Sequence, residues 1–257
     1  MHLIDELELL TVEHQKTAFP AHYHEGFCIS LIRNGMECIA LDQHHLLSES
    51  GTITITNPYE VHANPIIDKD VYLSFDTFYC SQGLMKHLLG GKNIIFNNRK
   101  ISHPQANKLF LEVKHLKQNA LKKEADALIY KFAETLALNA DDREEEYGGI
   151  DFKELEIVND YIQENIYNPF NLEQLAKLSN QNKFGFAKKF KANTGMSPMN
   201  YILMKKIFSS KEKIAKETSL THLAYDYHFS DLAHYSKTFK RFVGIAPKSY
   251  QDELMQK

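Results

Sequence analysis

The sequence predicts an α+β chain of two domains: an antiparallel β-barrel that carries a helical pair, then an all-α unit. Three observations predict it. Between about 19 and 80 the apolar residues recur with a period near two. From about 104 onward the period becomes helical. Within the last hundred residues one phrase occurs twice, as FAKKFKANTGMSPMNY at 186–201 and YSKTFKRFVGIAPKSY at 235–250. The chain has 257 residues, room for two domains of ordinary size.

The β half rests on the short runs FCISLIR, ECIALD, TITIT and VYLSFDTF, rich in β-branched and aromatic residues. Asn34-Gly35, Ser50-Gly51 and Asn57-Pro58 break them into closely spaced strands, the pattern of a small barrel or sandwich. A helix follows at about 104–118, with Leu109, Val113 and Leu116 along one face. A second, at about 122–139, places Ala125, Leu128, Ile129, Phe132 and Leu136 on one stripe. The acidic stretch NADDREEEYGG at 139–149 then reads as an exposed linker. The predicted division is 1–140, a linker at 141–150, and 151–254.

Charge separates the halves. Residues 1–150 carry 14 Lys/Arg against 21 Asp/Glu, a balance of −7, and residues 151–257 carry 16 against 12, a balance of +4. An acidic half joined to a basic half implies two tasks. No apolar run reaches the ~18–20 residues of a membrane span. The acidic start MHLIDELELL lacks the basic and apolar regions of a signal peptide. Cys28, Cys38 and Cys80 are odd in number and lack metal-ligand spacing, so they read as free thiols of a reducing compartment, and the cytoplasm is the expected location.

The repeated phrase resolves into two copies of a helix, a tight turn and a second helix, at about 171–194 and 219–243. In the first, Asn171 caps a short helix with Gln174 reaching back from its third position. Leu172, Leu175 and Leu178 face inward, and Ala176 permits a close crossing. Ser179-Asn180-Gln181 turn, and Asn182 caps a helix with Phe186 and Phe190 inside that ends at Gly195. In the second, Ser219 caps, Leu220 and Leu223 face in, and Ala224 is the small residue. Tyr227-His228-Phe229 turn, and Ser230 caps a helix with Tyr235 and Phe239 inside that ends at Gly244. The first helices correspond at an offset of 48 and the second at 49. Pro198 opens a connecting helix running to about 217, roughly 30 Å at ~1.5 Å per residue and close to the ~34 Å of one B-DNA turn. Two recognition helices on such a connector suit successive major grooves. Their outward residues are Lys183, Phe184, Ala187, Lys188 and Lys191 in the first, and Leu232, Ala233, His234, Ser236, Lys237, Lys240 and Arg241 in or beside the second. Lysines can contact phosphates and guanine, while Ala, Phe and Leu can touch thymine methyls. Basic helical hairpins also occur in protein-binding scaffolds, where the lysines are merely solvated.

The C-terminal hundred residues resemble the AraC/XylS family of bacterial transcription regulators. LEQLAKLSN…FAKKFKANTGMSPMNYI and LTHLAYDYHFSDLAHYSKTFKRFVGIAPKSY carry the resemblance, the second lying close to that family's signature. The resemblance implies a monomeric double helix-turn-helix unit that binds promoter DNA and recruits RNA polymerase. Three departures stand out. His228 replaces the usual turn glycine, Lys188 and Lys237 replace arginines whose planar fork pairs with guanine, and Gly185 interrupts the first reading helix. The N-terminal half is similar to the family's cupin-like sensor barrel, through FPAHYHEGFCISLIRNG and GTITITNPYEVHANP.

His22, His24 and His62 raise the question of a metal, since H-x-H puts two imidazoles on one face of a strand. The glutamate that metal-binding cupins place a few residues later is missing, Glu25 falling on the opposite face, and no metal or cofactor is expected. Three roles remain for these histidines: structural, effector contact or metal ligand. The expected effector residues are His22, Tyr23, His24, Arg33 and His62, whose donors suit a sugar or a carboxylate. Leu109, Val113 and Leu116 are expected to form a homodimer face. The leading function is an effector-responsive, sequence-specific DNA-binding regulator with no enzymatic activity. The alternatives are a cupin metalloenzyme with a DNA-binding tail, and a regulator that has lost base recognition and acts through protein contacts.

Overall fold

The structure, a computed structural model, describes residues 2–42, 44–68 and 70–255. The chain forms two compact units. The first holds the chain up to Thr17, Tyr23–Glu60 and Asn64–Gly149; the second holds Ala18–His22, Val61–Ala63 and everything from Ile150. The division therefore falls at Gly149, and two short N-terminal segments group with the second unit.

A single-turn helix α1 (Leu3–Glu6) leads into β1 (Glu8–Gln15). After β2 (Phe19–His22), which belongs to the second unit, come β3 (Phe27–Asn34), β4 (Met36–Ala40), β5 (His45–Glu49) and β6 (Ile53–Thr56). β7 (His62–Asn64) precedes the long β8 (Leu73–Cys80), helix α2 (Gln82–Leu88), β9 (Asn93–Ile95) and β10 (Lys100–Ile101). Helices α3 (Pro104–Gln118) and α4 (Ala125–Ala137) close the helical pair.

Within the first unit the strands β1-β8-β3-β6-β10 form one antiparallel sheet, and β4 pairs with β5. Strand alternation gives the five-stranded sheet two unlike faces. One carries Leu9, Phe27, Ile29, Leu31, Ile53, Ile55 and Phe78, which pack with Phe110, Ile129, Phe132 and Leu136 into one apolar core. Asp76 is fully buried. It accepts from the Thr11 hydroxyl at 2.8 Å and pairs with Lys114 of α3 at 2.6 Å and Arg33 at 2.9 Å. The other face is mixed: Leu10, Val12, Ile32 and Phe75 are buried on it together with Ser30, Thr54, Thr56 and Thr77, the Ser30 and Thr77 hydroxyls lying 2.7 Å apart.

Two expectations change here. Leu109 and Val113 are 1% and 0% exposed, inside the core beside Ala106 and Phe110, so they face the sheet and cannot meet a partner; Leu116 is only partly buried. A stripe at i, i+3, i+4 and i+7 is what a helix needs to cover a sheet, and the sequence does not distinguish that use from a dimer seam. The supposed linker is also largely ordered onto the first unit. Asp141–Arg143 form β11, paired with β9, and Lys86 holds Glu146 at 2.5 Å. Half-buried Tyr147 donates toward the Ile94 carbonyl at 3.1 Å and the Asn57 side chain at 3.2 Å, with Arg143 over its ring.

The second unit is helical after Ile150. A 3-10 turn (Lys153–Leu155) runs into α5 (Glu156–Glu164). Then come α6 (Leu172–Leu178), α7 (Lys183–Thr194), α8 (Pro198–Glu212), α9 (Leu220–Asp226), α10 (Leu232–Val243) and α11 (Pro247–Met255).

Candidate nucleic-acid interface

The two copies of the phrase fold alike. α6 and α9 each have seven residues, α7 and α10 each twelve. In the first turn the Gln181 N–H donates to the Ala176 carbonyl at 2.9 Å and the Asn180 N–H to Lys177 at 3.0 Å. In the second, Phe229 donates to Ala224 and His228 to Tyr225, both at 2.9 Å. This double bond closes a helix on a left-handed residue. Asn180 (φ 53°) and His228 (φ 54°) occupy that position, so the repeat preserves the backbone without the expected glycine. Gly195 (φ 72°) and Gly244 (φ 96°) end both reading helices the same way. Inside, Phe186 and Phe190 lie 5.7 Å apart, as do Tyr235 and Phe239, and all four are 0% exposed.

A left-handed histidine costs about 1–2 kcal/mol against glycine, part of which glycine returns as unfolded-state entropy. His228→Gly is therefore expected to raise the melting temperature by a few degrees and leave DNA affinity unchanged. A lower melting temperature would assign the imidazole a structural task of its own.

Three local expectations shift. Asp231, not Ser230, caps α10, accepting from the His234 N–H at 2.7 Å. The offset of 49 from Asn182 already points to 231, and aspartate is as good a cap as serine. Asn171 caps α6 as expected, accepting from the Glu173 N–H, but the Gln174 amide donates to the Tyr161 hydroxyl at 2.7 Å in place of the expected back-reach. The connecting helix ends at Glu212, fifteen residues or about 22 Å, where a turn closes by Thr218 N–H to Ala215 C=O at 3.1 Å. Its length alone does not match a DNA turn, so the spacing of the heads depends on how they pack on α8.

The predicted outward faces are outward. Lys183, Phe184, Lys188, Lys191, Leu232, Ala233, His234, Lys237, Lys240 and Arg241 are exposed, Phe184 at 78%, with Ala187 and Ser236 half-buried between them. Gly185 leaves α7 unbroken, its N–H bonded to the Asn182 side chain at 2.9 Å. Lys189, beside this face, is instead paired to Glu154.

Lys206 was missed by the sequence reading. It sits on α8 between Ile202 and Ser210 at four-residue spacing, in an otherwise inward row, and is 5% exposed. Its ammonium donates at 2.8 Å to the Asn168 carbonyl, just before the first head, and at 2.8 Å to the Tyr227 carbonyl in the turn of the second. The Phe170 ring lies 5.3 Å away, and burial pushes the ammonium down to about 8. One side chain thus fastens both heads to the connector.

In the second unit, His22 and His62 are buried with ring centroids 4.3 Å apart on the neighbouring strands β2 and β7. The Nδ1 of His22 lies 2.7 Å from the Pro20 carbonyl, and burial together with His62 holds its pKa down to about 3, so the ring is neutral. In the first unit, His24 lies 5.0 Å from the Tyr79 ring and buried Tyr23 5.8 Å from Tyr59. Arg33 is committed elsewhere, to Asp76 and to Glu13 at 2.6 Å, and is withdrawn as an effector residue. A buried aspartate needs a cation, and Arg33 lies on the helix side of the sheet to supply it.

A small β domain joined to a duplicated helix-turn-helix with two matched basic faces defines a two-headed DNA reader with a sensor-type domain. Residues 6–133 match the AraC-like ligand binding domain and residues 175–253 a helix-turn-helix domain, and the chain belongs to the AraC/XylS family of transcription regulators. It is 29% identical over 98 residues to the multiple antibiotic resistance protein MarA of Escherichia coli, covering 38% of this chain and 77% of MarA. It is 31% identical over 91 residues to the XylDLEGF operon transcriptional activator 2 of Pseudomonas putida, covering 34% and 58%. The match to the MmsAB operon regulatory protein of Pseudomonas aeruginosa spans only 32% of that relative. Over 97% of its length the chain is similar in fold to ToxT from Vibrio cholerae, 98% of which is covered, with a TM-score of 0.57 and 14% identity.

Proposed function

We propose that the protein is an effector-responsive transcription activator that sets α7 and α10 into successive major grooves of promoter DNA. The observation that carries this reading is the duplicated head. Two helices of equal length, capped and terminated alike, each present exposed lysines around a short apolar patch. Phosphates pair with Lys188, Lys191, Lys237, Lys240 and Arg241, while Phe184, Leu232 and Ala233 reach base edges. Activation proceeds by contact with RNA polymerase, and the protein works in the cytoplasm; among the described residues no helix is long and apolar enough to cross a membrane. A footprint on the promoter beside its own gene tests the reading: two protected patches one helical turn apart are expected, and no protection overturns it. Metal content of the purified protein tests the enzyme alternative.

Self-association completes the proposal, through the outer side of the helical pair. There Leu111, 48% exposed, borders a groove with Pro104, Leu116 and Leu128, ringed by Lys108, Glu112 and Glu124. A second copy is the occupant, because opposite charges on one rim pair when the same surface meets itself about a two-fold axis. Sedimentation should show a dimer that Leu111→Glu converts to a folded monomer. A monomeric wild type at tens of micromolar would sink the idea.

A further inference from the structure

Against the Thr54 hydroxyl of β6 the first unit carries a buried carboxylate that the DNA-reading role does not use. Glu37 is 4% exposed on β4. Its carboxylate accepts from the Thr54 hydroxyl at 2.7 Å and from the Asn64 amide at 3.1 Å. Both donors are neutral, and no cation is paired with it among the described residues. Two further hydroxyls flank it. Ser48, directly opposite Glu37 in the β4–β5 pair, is 1% exposed, and Thr56, one alternation beyond Thr54 on β6, is 3% exposed. Residues directly opposite in an antiparallel pair, and residues two apart on one strand, share a face. Neither the Ser48 Oγ nor the Thr56 Oγ1 has a hydrogen-bond partner among the described residues. Buried hydroxyls without partners are uncommon and unfavourable, so two beside an uncompensated carboxylate describe a site built for a donor.

The face also opens on space. Cys28 pairs with Thr56 across β3 and β6, and β3 is the middle strand of five, yet Cys28 keeps partial access to solvent. A residue flanked by strands on both sides stays accessible only if room lies over its face.

We propose that Glu37, Ser48 and Thr56 form the polar end of the effector site, and that the effector presents a primary ammonium to them. An ammonium has three N–H donors, and the carboxylate and two hydroxyl oxygens are three acceptors. The match also supplies the positive charge that a buried carboxylate lacks. A carboxylate effector, one of the two classes expected from the histidines, would meet Glu37 with like charge. The proposal rests on the effector-responsive reading, but the binding test below uses no DNA and fails or succeeds independently of it.

Ionisation supports the choice. Burial pushes the Glu37 carboxyl up to about 7, against the lowering effect of Thr54 and Asn64. Its strand-pair and hydrogen-bond partners among the described residues are the neutral Ser48, Thr54 and Asn64. The titratable groups on the same strands are the Cys38 thiol on β4, His45 and Glu49 on β5, and His62 on β7. An ammonium requires the ionised form, so its affinity should fall roughly tenfold per pH unit below about 7.

The test is calorimetric titration and thermal shift of the full chain at pH 8 with putrescine, glucosamine and benzylamine. Each is set against its amine-free counterpart: 1,4-butanediol, glucose or glucuronate, and benzyl alcohol. At least one amine should bind, and its counterparts should bind at least tenfold more weakly. Glu37→Gln, which keeps the shape and removes the buried charge, should retain or raise the melting temperature while weakening the amine at least tenfold. Thr56→Val should weaken it severalfold. Binding of no amine, equal binding of a counterpart, or unchanged affinity in a folded Glu37→Gln chain would overturn the proposal.

Discussion

Binding to promoter fragments is expected to weaken about a thousandfold between ~0.1 and ~0.4 M salt. Six cations lie exposed on or beside the two reading helices: Lys183, Lys188, Lys191, Lys237, Lys240 and Arg241. Each phosphate neutralised releases condensed counterions, so about six contacts give a slope near −5 in log affinity against log salt. Lys183 also lies 3.5 Å from Glu173, which competes for it and makes five contacts the lower expectation. Lys188→Ala and Lys237→Ala separate positioning from reading. If a lysine holds only a phosphate, its removal should weaken all sequences alike and flatten the slope by about one. If it reaches guanine, the loss should be roughly 1–3 kcal/mol at one position of the site. A slope near zero, or no retention of any promoter fragment at low salt, would end the DNA-binding reading.

What the sequence made legible follows from how local each signal is. The duplicated head was readable almost entirely, because its caps, inward aromatics and terminal glycines are short-range devices repeated at a fixed offset. Even the misplaced cap at Ser230 was correctable from the repeat, since Asn182 shifted by 49 is Asp231. The strands were readable from their alternation, but not which face of α3 meets the sheet. Leu109 and Val113 could equally have served a partner, and only tertiary packing decides between burial in the core and burial in an interface. The segment 139–149 read as linker because it is acidic; Tyr147 was the exception in it, and its ring and hydroxyl anchor the stretch. Lys206 and Glu37 were overlooked for one reason. Each is a charged residue at an inward position, where a pattern of apolar residues shows only a gap, and its meaning lies in partners far along the chain. For Lys206 the gap was detectable, a lone lysine in the row Ile202, Lys206, Ser210.

Replacing Lys206 by methionine is expected to destabilise the second unit by about 2–4 kcal/mol, since it strips the donor from two carbonyls at roughly 1–3 kcal/mol each and regains some apolar packing. The lysine's own burial is unfavourable, and that gives the test a second axis. Its folded-state pKa, about 8, lies below the ordinary lysine value of 10.5. Between those values the unfolded chain holds the extra proton, so this group makes stability rise with pH from about 8 to about 10.5, by at most ~1.4 kcal/mol per unit. Lys206→Met should lack that rise. Denaturant melts of both chains at pH 7 and pH 9.5 should therefore show a gap that widens at the higher pH, because only the wild type gains there, its neutral amine still donating to both carbonyls. The functional consequence concerns geometry. With Asn168 and Tyr227 no longer drawn to one point on α8, the heads lose their fixed spacing. The variant should bind a single half-site as wild type does, yet lose most of the advantage that two half-sites in one register confer. A loss of less than ~0.5 kcal/mol, with identical pH dependence in both chains and an intact preference for paired half-sites, would show that Lys206 only fills space.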